Sequence, residues 1–164
     1  MKKILFLTLM TLAIATANNA QAQTRLGGFL GYGAEDIGQW DIGFVAEFML
    51  NDKMAISPDL TLYFPEKNGN TKYSWYELNG NFHYYFVPDG NFNLYGIAGL
   101  NYTHLKVTND NSGFSGTNGE IGINLGFGFN FLVNDKIIPF THLKYVVSDY
   151  DHAAFAVGVK VNLN

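Results

Sequence analysis

From Glu120 to Phe131 the chain reads EIGINLGFGFNF, an oily residue at every second position for twelve residues. Ile121, Ile123, Leu125, Phe127, Phe129 and Phe131 alternate with Glu120, Gly122, Asn124, Gly126, Gly128 and Asn130. Successive side chains of a β-strand point to opposite faces, so this is a strand with one greasy face and one small or polar face. A soluble barrel would turn the phenylalanines inward, and a membrane barrel would turn them toward lipid. The fold depends on which it is.

The chain start bears on the compartment. Lys2 and Lys3 precede an apolar run from Ile4 to Ala17, and Ala20-Gln21-Ala22 has the small-x-small pattern of a signal-peptidase site. Residues 1–22 are therefore expected to form a cleaved signal peptide and residues 23–164 the exported domain. Losing Lys2 and Lys3 takes the formal net charge from −4 to −6. An acidic chain without clustered bases argues against a nucleic-acid partner. The absence of cysteine excludes a disulfide framework and a lipoprotein anchor. Aromatic residues make up 16% of the chain and charged residues only 15%, far below the usual quarter. Beyond the signal no apolar run is long enough for a transmembrane helix. Entry into a membrane would thus require a closed barrel.

The same alternation recurs in segments near 24–33, 40–50, 54–64, 73–86, 92–107, 119–132, 137–148 and 153–163. Turn chemistry separates them, as at Asn51-Asp52-Lys53, Pro88-Asp89-Gly90-Asn91 and Asn134-Asp135-Lys136. Thr108–Asn118, TNDNSGFSGTN, reads as the longest loop. Pro58 marks the third strand as an edge or a bulge, since proline lacks the ladder N–H. Eight sequential strands with short connections predict an all-β, antiparallel, up-and-down transmembrane β-barrel. Both termini and the three turns just named would then be periplasmic, and the longer connections extracellular.

Parity sorts the side chains. One face carries Phe44, Phe48, Phe82, Ile123, Leu125, Phe127, Val157 and Val159, the expected lipid contacts. The other carries Arg25, Asp41, Glu47, Asp59, Glu77, Glu120, Lys144 and Lys160 among many Gly, Asn, Ser and Thr residues. A solvated face would be richer in charge, and glycine there weakens a strand without benefit. In a narrow barrel, small residues make room for long ones, and eight strands enclose little beyond side chains. The charges are therefore expected to form an ion-pair network inside, because a buried charge needs a partner. Reversing the faces would place eight charges on lipid, at about 2–4 kcal/mol each near the midplane and less for acids. Aromatic belts are expected from Tyr32, Trp40, Phe64, Tyr76 and Tyr102 at one end, and from Phe86, Phe92, Phe129 and Phe131 at the other.

This patterning resembles the small eight-stranded outer-membrane barrels, the porin-like family of outer membrane protein A's transmembrane domain and outer membrane protein X. The C-terminal Gly158-Val159-Lys160-Val161-Asn162-Leu163 is similar to the terminal assembly signal of such barrels, although it closes on Leu163 and Asn164 rather than an aromatic residue. The resemblance implies the outer membrane of a Gram-negative cell, contact with outer-membrane lipid, and delivery by the barrel assembly machinery through the last strand. Members of such families serve as structural proteins, adhesins, narrow or gated pores and, in a few cases, enzymes; a lumen filled by side chains predicts a structural or surface-interaction role here and no open channel.

Three features invite other chemistry. Ser148-Asp149-Tyr150-Asp151-His152 places a hydroxyl, carboxylates and an imidazole at one rim, yet such residues are ordinary in turns. His83 and His142 share the polar face, but metal sites need three or four converging ligands. Asn109-Asp110-Asn111-Ser112-Gly113 lacks the downstream glutamate of a calcium loop. The expectation is no enzyme, no cofactor and no metal. The alternatives are a soluble lipocalin-like barrel holding an apolar ligand, and an outer-membrane enzyme with a rim site.

Overall fold

The computed structural model describes residues 23–87 and 90–163. The expected signal peptide, Pro88, Asp89 and Asn164 lie outside the described residues. The strands are β1 (Thr24–Gly33), β2 (Gln39–Asn51), β3 (Met54–Tyr63), β4 (Glu66–Asn68), β5 (Thr71–Tyr85), β6 (Phe92–Asn109), β7 (Phe114–Phe131), β8 (Ile137–Val147) and β9 (His152–Asn162). Sequence neighbours pair antiparallel except β3 and β4, which both pair with β5. The ring closes where β9 meets β1, from Arg25↔Asn162 to Gly33↔Ala154.

β4 is not a ninth stave. Past Phe64-Pro65 it continues the line of β3 along β5, slipping by one residue: Leu62 faces Tyr76, but Glu66 faces Tyr73. The barrel thus has eight staves. Cα partners lead from Thr24 through Phe48, Ile56, Phe82, Ala98, Leu125, Tyr145 and Ala153, whose carbonyl accepts the Ala34 N–H at 2.8 Å. One circuit therefore climbs from residue 24 to residue 34. Such a stagger goes with strands tilted about 40° from the barrel axis.

Two expectations about local structure need correction. β3 is a full stave, neither an edge nor a bulge at Pro58. Pro58 stays opposite Gly80 of β5, while the ladder to β2 is interrupted between Val45↔Asp59 and Phe48↔Ile56. The missing N–H falls on that side. Likewise Thr108–Asn118 is mostly strand. β6 runs to Asn109, β7 starts at Phe114, and the two pair throughout. Asn109 Oδ1 accepts the N–H groups of Asn111 and Ser112, both at 3.1 Å, and Gly113 takes φ 66° to close the turn. Polar and glycine residues misled the reading because cross-strand pairing overrides weak strand propensity.

The outer connections are therefore short turns on long strands. β7 pairs with β8 no further out than Ile123↔Val147. Beyond that level the outer parts of β5, β6 and β7, with β4, project past the rim as a flap. At the opposite end lie the start of β1, the end of β9 and the β2–β3, β5–β6 and β7–β8 turns.

Candidate functional site

Inward parity puts a column of polar side chains along the barrel axis, built around two carboxylates. Glu47, fully buried, sits near the end that holds the termini. Arg25 Nη1 donates to its Oε2 at 3.0 Å, and Lys160 Nζ donates to both oxygens at 3.1 Å. His83 Nδ1 lies 3.0 Å from Oε1, and the Tyr85 hydroxyl donates to the same oxygen at 2.6 Å. Two cations and two further polar groups thus surround one anion. That many partners is what a carboxylate removed from water requires.

Glu77, also fully buried, is the second centre. His152 Nε2 lies 2.8 Å from Oε1, Lys144 Nζ 3.6 Å from Oε2, and the Tyr63 hydroxyl donates to Oε1 at 3.2 Å. Between the two centres runs an amide belt. Asn79 and Asn81 donate to Asp59 at 2.7 and 2.8 Å, and Asn124 donates to both asparagines at 2.8 Å. Asn101 joins it through Asn79 at 2.9 Å. The cavity beside this belt, touched by Ser57, Asp59, His83, Lys144 and Lys160, measures about 10 Å³. That is room for about one water molecule.

Apolar groups close the column at both ends. Toward the termini, Ala55, Tyr85, Tyr95 and Ile97 pack with Met49. Lys160 Nζ stands 5.4 Å from the Tyr95 ring centre and 4.9 Å from that of Phe140. At the flap end Ile37, Tyr63 and Trp75 pack with Leu105 and Tyr150. Trp75 meets Tyr150 edge-on at 5.0 Å, and Asn118 donates to the Tyr150 hydroxyl at 2.7 Å.

Of the eight charged residues singled out by parity, Arg25, Asp41, Glu47, Asp59, Glu77, Lys144 and Lys160 are buried inside. Glu120 is not among them. It sits on the flap, half-buried, and accepts a hydrogen bond from Asn118 at 3.1 Å. The glycines of its strand serve other side chains. A Cβ at Gly128 would strike the Tyr95 ring, and one at Gly126 would lie 2.7 Å from Lys144 Cα. Sequence reading missed Tyr63, Tyr85, Tyr95 and Phe29 as inward groups, although each shares the parity of a polar neighbour that it did place inside. It also left His152 in the rim turn, whereas His152 reaches down to Glu77. His142 lies beside the Phe29 and Phe140 rings, 5.8 Å from each.

The expected lipid contacts Phe44, Phe82, Ile123, Leu125, Phe127, Val157 and Val159 are exposed on the outer surface, with Phe48 half-buried among them. Tyr32 packs on Trp40 at 5.3 Å near the flap end, and Phe92 packs on Phe129 and Phe131 at 5.1 and 5.3 Å near the other. The rim turn is held by local hydrogen bonds. Asp151 Oδ1 accepts the Ser148 N–H at 2.8 Å, Ser148 Oγ accepts the Tyr150 N–H at 3.1 Å, and His152 Nδ1 lies 2.9 Å from the Tyr150 carbonyl. Ser148 and Asp151 thus serve the turn, while His152 links it to Glu77.

The outer membrane protein beta-barrel domain model matches residues 4–162. The chain belongs to that family. It is a transmembrane barrel of the Gram-negative outer membrane. Solved barrels share the architecture. Neisserial surface protein A is 17% identical, with 88% of this chain and 98% of that one covered at a TM-score of 0.68. The N-terminal β-barrel domain of Pseudomonas aeruginosa OprF is 18% identical, with 87% and 100% covered at 0.68. Ail of Yersinia pestis, the attachment invasion locus protein, solved with the heparin analogue sucrose octasulfate, is 11% identical, with 86% and 96% covered at 0.65. At such identities these likenesses concern the fold. No curated protein matches the sequence.

Proposed function

We propose that this outer-membrane barrel is a structural or surface-interaction protein whose interior is a sealed polar strut and not an open pore. The observation that carries the reading is the Glu47 centre. Its partners come from β1, β5 and β9 and meet across the axis, which supports an interior closed to ions. The apolar clusters at both ends strengthen the barrier. In planar bilayers the folded chain is expected to give no large, stable conductance, and a steady open channel would overturn the reading.

The apolar band from Phe44 to Val159 is assigned to lipid. Leu125→Arg is expected to cost about 2–4 kcal/mol near the midplane, visible as loss of the heat-dependent gel shift that marks a closed barrel. Normal folding of that variant would overturn the assignment. Polar groups inside and exposed apolar residues outside disfavour a lipocalin-like vessel for an apolar ligand. Ser148 and Asp151 are bonded within the rim turn and His152 is drawn down to Glu77, which supports a non-enzymatic role. We assign the β9 sequence from Gly158 to Leu163 to recognition by the barrel assembly machinery, which brings the folded chain into contact with outer-membrane lipid.

A further inference from the structure

Outside the interior, the chain from residue 23 onward has five bases: Lys53, Lys67, Lys72, Lys106 and Lys136. Lys53 and Lys136 lie in the turns at the end of the termini. The other three all fall on one surface, the outward face of the flap. Lys67 of β4 is the direct cross-strand partner of Lys72 on β5. Lys106 of β6 partners Ser74, two residues along the same face from Lys72. Like charges opposite one another on a sheet repel, so this arrangement calls for an anion.

Of the flap's acids, Asp110 meets this face through Lys67 and the others do not. Glu66 and Glu120 have the opposite parity, and Asp110 in the β6–β7 turn reaches only Lys67, at 3.8 Å. Glu35, Asp36, Asp149 and Asp151 belong to the β1–β2 and β8–β9 turns. Immediately below the lysines, Tyr76 stacks on His104 at 4.7 Å, and Tyr102 lies 6.4 Å from the same imidazole. Tyrosines of a membrane barrel sit at headgroup level. With a rise of about 3.3 Å per residue and a tilt near 40°, Lys106 and Lys72 stand roughly 5 and 10 Å further out. Their long stems let the ammonium groups adjust by several ångströms.

We propose that Lys67, Lys72 and Lys106 bind the phosphate groups of a phosphorylated glycolipid in the surrounding outer leaflet, its sugar resting against Tyr76 and His104. The outward direction of the lysines selects a lipid neighbour over a soluble ligand. A soluble ligand would be met by side chains directed along the axis or along the flap's inner face. The proposal rests on the membrane reading above, with the flap end outermost.

The test uses the full exported chain in phosphatidylcholine nanodiscs doped with diphosphoryl lipid A or its dephosphorylated form. Lipid that co-purifies with the barrel is quantified, and the heat-dependent gel shift reports folding. The unmodified chain is expected to enrich the diphosphoryl form several-fold over the dephosphorylated one. Each Lys→Gln change at 67, 72 or 106 should lower that enrichment by up to about fivefold. Lys53→Gln with Lys136→Gln should leave it unchanged. Single Lys72→Gln supplies the measurement should the triple variant not fold. Equal retention of both lipids, or enrichment that survives the triple substitution in a folded barrel, overturns the proposal. So does a triple variant that keeps lipid A but loses binding of a soluble sulfated oligosaccharide. Failure of the unmodified chain to insert would instead overturn the membrane reading and this proposal with it.

Discussion

The two buried carboxylates look alike in sequence and stand in opposite electrostatic surroundings. Glu47 is outnumbered: Arg25 and Lys160 both bond to it, with His83 and Tyr85 alongside. Glu77 has one lysine at 3.6 Å and shares its end of the interior with Asp41, with Asp59 in the belt next to it. The barrel is therefore polarised along its axis, with surplus cation near the termini and surplus anion near the flap. Three buried bases face four buried acids, so the upper half must draw on His152, amides and hydroxyls. A single notion of a balanced interior network misses this division.

The contrast can be broken by removing one anion at a time. Glu47→Gln should be the most damaging, at about 3–5 kcal/mol, because it strands two buried cations. Unfolding in urea with the barrel in detergent or lipid would measure it, and a loss under about 1 kcal/mol would refute the account of this half. Gly128→Leu should follow at about 1–3 kcal/mol, since the new side chain overlaps the Tyr95 ring that closes the same half. Glu77→Gln should cost less than Glu47→Gln, about 1–2 kcal/mol, because the amide keeps its neutral partners and relieves acid crowding. Asp41→Asn should be neutral or slightly stabilising, since no described side chain donates to Asp41 Oδ1 and a negative charge is removed from the acidic half. The smallest effect is expected for Glu120→Leu, within about 0.5 kcal/mol in the same titration, as befits a flap residue.

Much of this architecture was legible as period-two patterning. The Glu120–Phe131 strand gave its two faces directly, because alternation in a sheet is geometric and does not depend on neighbours. Height along the barrel was less readable. Glu120 has the right parity, but the length of β8 decides whether its level is inside the barrel or beyond the rim. Only strand pairing reveals that β8 ends at Val147. His152 shows the converse, since a turn-like sequence hid a side chain that points down the axis. Inward aromatics were overlooked because hydrophobicity was taken as a sign of the outer face. A side-chain-filled barrel also needs bulk, and Gly43 beneath the Phe29 ring shows how that bulk is accommodated.

The Glu47 centre also has a consequence for the order of assembly. Arg25 belongs to the first strand, Glu47 to the second and Lys160 to the last, so Glu47 and Lys160 are 113 residues apart in the chain. An unclosed sheet lacks the seam that brings Lys160 to that carboxylate. Its charge would meet lipid or water with one principal partner absent. Completion of the ring and neutralisation of its interior are thus one event. A sheet whose last strand is missing or misregistered would leave Glu47 without Lys160.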